Sequence, residues 1–96
     1  MVSGVYKIIN IITNKIYIGS SINIKSRFAS HKRTLNRNIS GCKKLQASWN
    51  KHKETNFRFE ILEKVLLKEN ETREQLKKRL VDEREQFYLD TLILNN

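Results

Sequence analysis

The first 53 residues contain eleven Lys or Arg and no Asp or Glu, whereas residues 54–96 contain eight Lys or Arg and ten Asp or Glu. The first half therefore carries +11 and the second −2. A stretch of that length without a carboxylate has no ion pairs of its own. Any compact arrangement must relieve its repulsion through solvent, through the acidic half, or through a bound polyanion. Nucleic acid is the polyanion that a chain of pI near 9.9 suggests. Charge alone does not separate DNA from RNA, and a solvated basic surface is the plainer alternative. The asymmetry also restricts metal chemistry. Hard cations take oxygen ligands, preferably carboxylates, so a protein carboxylate holding one must come from residue 54 onward, and the two halves would share the site.

Ninety-six residues, 39% of them hydrophobic, suffice for one modest core, which predicts a single domain over 1–96. No run approaches the roughly 20 apolar residues of a membrane span, and the N-terminus lacks the order of a signal peptide, so a soluble protein with no membrane partner is expected. The single cysteine, Cys42, excludes an intramolecular disulfide and a thiolate zinc cluster, and is expected to be a small, inert loop or core residue.

Two short β-branched and aromatic runs, 4–9 and 15–19, flank a polar turn at Thr13-Asn14 and predict a β-hairpin. After an N-cap at Ser21 or Asn23, Ile24, Phe28, His31 and Leu35 share one helix face, which predicts a helix over 24–35. Leu45, Trp49 and His52 predict a second helix near 43–52, and Phe57 to Val65 a third strand. Residues 72–92, opening on a capping-box signal at Thr72 and Gln75, predict the longest helix. The order β-β-α-α-β-α implies an α+β fold in which three helices flank a small, mostly antiparallel three-stranded sheet.

Arg27 and His31 are spaced i, i+4, so they neighbour each other at the edge of the apolar stripe of the first helix. A guanidinium there can grip a phosphate and an imidazole one turn on can move a proton, although both equally suit an ordinary core boundary. In the last helix, Val81, Glu85, Tyr88 and Leu92 form one row, so Glu85 interrupts a row expected to face the core. A carboxylate so placed needs either a metal ion or an ion pair with Arg84, Arg27 or a lysine. Tyr6 and Tyr17 each stand on a strand near a glycine, Gly4 and Gly19, where the missing side chain lets a backbone or ligand approach closely; core tyrosines are the simpler reading.

Taken together these residues resemble a known pattern. Gly4-Val5-Tyr6, ten intervening residues, Tyr17-Ile18-Gly19, Arg27 in the next helix and a late glutamate resemble the GIY-YIG nuclease superfamily. The stretch Leu45-Gln46-Ala47-Ser48-Trp49-Asn50-Lys51-His52 and the segment Glu85-Gln86-Phe87-Tyr88 are similar to those of phage and organellar intron-encoded homing endonucleases, so the resemblance covers nearly the whole chain. It implies a metal-dependent DNA endonuclease domain with weak sequence preference. Tyr6 would be the general base or the orienter of the attacking water, Tyr17 would position the scissile phosphate, Arg27 would stabilise it, and His31 would assist by hydrogen bonding or proton relay. Glu85 would be the single protein ligand of Mg²⁺, for which Mn²⁺ can substitute. Lys25, Lys32, Arg33, Arg37, Lys43 and Lys44 would contact the backbone of double-stranded DNA. A monomer or a transient dimer on DNA is expected, inside a bacterial or phage-infected cell or an organelle, with no separate DNA-recognition domain. Two family features are not matched: an Asn in a strand after the final helix, where this chain has Asn95-Asn96, and a second histidine after the first helix, where it has Asn38, Ile39 and Ser40. The alternatives are a catalytically impaired nucleic-acid-binding module and an RNA-binding protein stacking bases on Trp49 or Phe57.

Overall fold

The two β-branched runs form the hairpin that their composition predicts. In the computed structural model, which describes residues 1–93, β1 spans Gly4–Asn10 and β2 Ile16–Ser21, with Asn14 in the left-handed region that its short polar side chain tolerates (φ 63°). Next come α1 (Ile24–Asn36), α2 (Lys43–His52), a single 3₁₀ turn (Glu54–Asn56) and β3 (Phe57–Lys64). Asn23 rather than Ser21 caps α1, its side chain accepting from the Ser26 amide. The last helix, α3, runs over 73–93 from the expected capping box, in which Thr72 and Gln75 satisfy each other's backbone amides. It is not uniformly α-helical. Regular turns at Arg73–Arg79 and Gln86–Tyr88 alternate with π-helical turns at Leu80–Glu85 and Leu89–Ile93.

The sheet order is β2-β1-β3, antiparallel throughout, so the fold is α+β with the element order expected from the sequence. The pleat places Tyr6 and Ile8 on one face of the central strand, where they form the main core with Ile24 and Leu35 of α1, Leu45 and Trp49 of α2, and Phe57. Trp49 and Phe57 are only 4% and 6% exposed, so neither offers a ring on which a base could stack. A smaller cluster of Val65, Leu76 and Leu80, with Ile22 against it, seats α3.

A β-bulge decides how α3 meets the sheet. Val5 lies opposite Glu63 but Tyr6 lies opposite Ile61, leaving Leu62 as an extra residue on β3. Strict alternation would put Glu63 on the face of Phe59 and Ile61; the extra residue turns it to the face of Val5. There its carboxylate accepts from Arg84 Nε (2.7 Å) and Nη2 (2.6 Å) and from the Tyr88 hydroxyl (3.0 Å).

This clamp corrects one expectation. The row of α3 that closes onto the protein is Leu76, Leu80, Arg84 and Tyr88, whereas Val81 is 52% exposed, so Glu85 does not interrupt a core-facing row. The change arises at the π turn, whose wider i→i+5 bonding alters the rotation per residue that α-helical spacing assumes. The ion-pair alternative for Glu85 is also not realised: Arg84 is taken by Glu63, and Glu85 has no salt bridge among the described residues. Every ion pair among the described residues joins partners within the second half: Glu63 with Arg84, Glu71 with Arg79, and Glu74 with Lys77. The acidic half thus neutralises itself and leaves the basic half uncompensated. No described helix is long and apolar enough to cross a membrane. Asn95-Asn96 lie outside the described residues.

Candidate active site

Gly19 sits opposite Tyr6 in the hairpin register, and the Tyr6 ring lies over its backbone. A Cβ on Gly19 would stand 2.5 Å from Tyr6 Cζ and overlap the hydroxyl, so glycine is required for the phenol to lie where it does. Gly4 has a different duty: a Cβ there would run into the backbone carbonyl of Glu63 across the β1–β3 pairing. Tyr6 is 4% exposed and meets Phe28 edge-on, with centroids 5.2 Å apart. It lines a cavity of about 540 Å³ together with Tyr17, Arg27, His31, Cys42 and Glu85.

In that cavity Tyr6 Oη and His31 Nε2 are hydrogen-bonded at 2.8 Å. Burial pushes the Tyr6 phenol above its ordinary pKa and the nearby Arg27 guanidinium pulls it back, with Glu85 adding a smaller upward push. Burial, aided by the charge of Arg27, lowers the His31 pKa below its ordinary 6.5. At neutral pH the pair is therefore an un-ionised phenol beside an un-ionised imidazole, which has one ring nitrogen free to accept a proton. Arg27, one turn before His31 on α1, is exposed, with its guanidinium within hydrogen-bonding reach of the Tyr6 phenol. Tyr17 is half-buried against the main core.

Glu85 enters from the π turn of α3. It is half-buried, burial raises its pKa, and it makes no hydrogen bond or ion pair among the described residues. No three His, Cys, Asp or Glu side chains cluster as a ready-made metal cage among the described residues. The cavity thus brings together all five residues singled out in the sequence: four from the basic half and Glu85 from the acidic half. Cys42 is exposed at the start of α2 on the same cavity. Of the basic residues, Lys25, Lys32, Arg33 and Arg37 lie exposed on or just after α1, and Lys43 and Lys44 on the first turn of α2.

The clamp of Glu63 on Arg84 and Tyr88 escaped the sequence reading, which took Tyr88 only as a core-facing residue. It fixes the helix on both sides of Glu85, yet strand alternation assigns Glu63 to the opposite face and nothing in the residues 61–64 announces a bulge. The Gly19–Tyr6 contact is likewise visible only in the register.

Comparison with known proteins agrees with this geometry. A family model for the GIY-YIG catalytic domain matches residues 2–92. The Intron-associated endonuclease 1 of Enterobacteria phage T4 is 35% identical over 92 residues, covering 96% of this chain and 34% of that protein, so the chain spans about a third of this curated relative. Among solved structures, a mutant of the catalytic domain of the intron endonuclease I-TevI gives a TM-score of 0.79 at 33% identity, covering 96% of this chain and 84% of that one. A second structure, of the catalytic domain of the homing endonuclease I-TevI, gives 0.78 at 32% identity over 94% and 87%. By the family match, the relative and the shared fold, the chain belongs to the GIY-YIG catalytic domain family.

Proposed function

We propose that the chain is a metal-dependent DNA endonuclease domain that hydrolyses phosphodiester bonds with little sequence preference of its own. The observation that carries this reading is the convergence, in one cavity, of the Tyr6–His31 hydrogen bond, the exposed guanidinium of Arg27 beside that phenol and the carboxylate of Glu85, which has no ion pair among the described residues. The relatives are named as intron-associated and homing endonucleases, which accords with it.

The donor set fits a divalent cation. A half-buried carboxylate without a partner, in surroundings that disfavour its charge, is relieved by one. With a single such ligand, Mg²⁺ suits it best, because Mg²⁺ keeps most of its waters and takes one or two carboxylates plus phosphate oxygens, with Mn²⁺ as a substitute. When bound at Glu85 the ion supplies charge neutralisation at the phosphate and the leaving oxygen.

The chain's own residues do the rest. Tyr6, un-ionised, is a poor base in itself. Its hydroxyl orients the attacking water and passes a proton to His31 Nε2, so His31 is the terminal proton acceptor and Tyr6 the relay. Arg27 grips the scissile phosphate through paired N–H donors, and Tyr17 holds it on the other side. Lys25, Lys32, Arg33, Arg37, Lys43 and Lys44 hold the backbone of double-stranded DNA, contacts that position without specifying. The uncompensated charge of the basic half supports a polyanionic substrate. One such site cuts one strand, so nicked circles precede linear product, and linear product requires a second visit or a transient dimer.

The test uses supercoiled plasmid. The purified chain should nick it with Mg²⁺ and leave it intact with EDTA, while Arg27→Ala and Glu85→Ala abolish nicking but retain DNA in a gel shift. Folded wild-type protein that retains DNA yet leaves it intact in both Mg²⁺ and Mn²⁺ overturns the enzymatic reading.

A further inference from the structure

A second cavity, of about 870 Å³, is larger than the one holding Tyr6 and His31 and opens beside it, since Ile16 and Tyr17 line both. One wall is the β1–β2 turn, with Thr13, Asn14 and Lys15; the other is α2, whose Lys44, Ser48 and Lys51 stand in one i, i+4, i+7 row. His52 also lines it, as do Leu92 and Ile93 at the end of α3, and among the described residues no carboxylate does. The ammonium groups of Lys15, Lys44 and Lys51 have no hydrogen bond or ion pair among the described residues.

The walls are tied together from beneath. Asn10 is fully buried, its Oδ1 accepts from the amides of Ile12 (2.9 Å) and Thr13 (3.3 Å), and its Nδ2 donates to Ser48 Oγ (2.9 Å). Nothing in the proton relay uses this buried amide. It spaces the turn from α2, so the groove exists before anything binds, and ordering cost on binding is small. A cleft lined by one sign of charge focuses the field along its length.

We propose that this groove holds the sugar–phosphate backbone of one DNA strand as it leaves the catalytic cavity past Tyr17, with Lys15, Lys44 and Lys51 as its phosphate contacts. The proposal rests on the nuclease reading above and adds a direction to it: the strand runs toward the hairpin turn. Lys15, Lys51 and His52 become part of the substrate track, although they lie outside the set of basic residues that the sequence suggested.

The experiment compares wild type with the triple variant Lys15→Gln/Lys44→Gln/Lys51→Gln and with a control of equal charge change, Lys64→Gln/Lys68→Gln/Lys78→Gln, all exposed residues of the second half. Duplex binding is followed by fluorescence anisotropy in EDTA across a salt series, and plasmid nicking in Mg²⁺. Each phosphate contact contributes about 0.9 to the slope of log affinity against log salt, so the groove variant should lose up to ~2.7 of that slope. Its KM should rise on the order of tenfold, by more than its kcat falls, while the control keeps a near wild-type slope. A groove variant with wild-type slope and KM overturns the proposal and leaves the nuclease reading standing, provided the wild type cuts. An equal loss in the control also overturns it. A wild type that neither binds nor cuts the duplex at low salt removes both.

Discussion

Replacing Gly19 by alanine puts one methyl group against the Tyr6 phenol. Ordinary carbon contacts begin near 3.4 Å and the new Cβ would lie 2.5 Å from Tyr6 Cζ, so the ring must retreat by about 0.9 Å. A retreat directly away from His31 stretches the 2.8 Å hydrogen bond to about 3.7 Å, beyond hydrogen-bond range. Displacement of about 1 Å at a reacting group costs on the order of 10²-fold in rate, equivalent to about 2.7 kcal/mol of barrier. Overpacking at the site should cost ~1–3 kcal/mol of stability, less if the edge strand yields. Single-turnover nicking rates and thermal melts of Gly19→Ala, Tyr6→Phe and the double variant separate the two effects. The double variant should be little slower than either single one, because the methyl group and the lost hydroxyl damage the same bond. Gly41→Ala serves as control, since a Cβ there has nothing within 4 Å. A folded Gly19→Ala that nicks at the wild-type rate would refute both the placement of Tyr6 and its part in the relay.

Three further outcomes are expected. Glu85→Gln should abolish nicking yet raise the melting temperature of the metal-free protein at neutral pH: its folded pKa lies above the ordinary value, so the stabilising protonated form is present at low pH and lost as pH rises through that pKa. Addition of Mg²⁺ should then raise the melting temperature of wild type only, and an equal shift in both proteins would remove Glu85 as the ligand. The kcat of wild type should rise with pH on an acid limb centred below 6.5, because the folded His31 pKa is depressed, and His31→Gln should lose that limb; depression also means that stability tied to His31 is complete above 6.5 and declines as pH falls. Acid unfolding should draw on Glu63, lowered chiefly by its Arg84 hydrogen bonds, and Glu71, lowered to about 2 by Arg79; their stabilisation is present above the ordinary 4.5 and fades as pH falls toward their folded values, so urea midpoints of Glu71→Gln should vary less between neutral and acid pH.

Much of the fold was legible because its elements announce themselves locally. Asn23 and Thr72 sit where helices must be capped, and Ile24, Leu35, Leu45 and Trp49 repeat at helical spacing and are buried. Arg27 and His31 were legible as neighbours because α1 has a fixed period, and Tyr6 joined them only through the resemblance. What was not legible lies where a period breaks. The Glu63 clamp depends on a bulge, and the surroundings of Glu85 on a π turn, and neither leaves a mark in residue type. The depth of Tyr6 over Gly19, and the tie from Asn10 to Ser48, depend on which residues register puts opposite each other across distances that no local window spans.

The bulge at Leu62 and the π turn at Leu80–Glu85 lie on the two sides of one contact, the Glu63–Arg84 pair. Each acts as a phase shifter of one residue, and the aim of Glu85 depends on both being set. Deleting a residue from the loop at 66–71 would mainly change slack. Deleting Leu62 would let Glu63 follow Ile61 directly, so plain alternation would keep it opposite Val5, and a π turn that loses one residue can tighten to α-helical spacing with the residues beyond it still in place. At these two places a change of one residue in chain length can be absorbed, whereas elsewhere in either element it would turn the carboxylate away from the phenol.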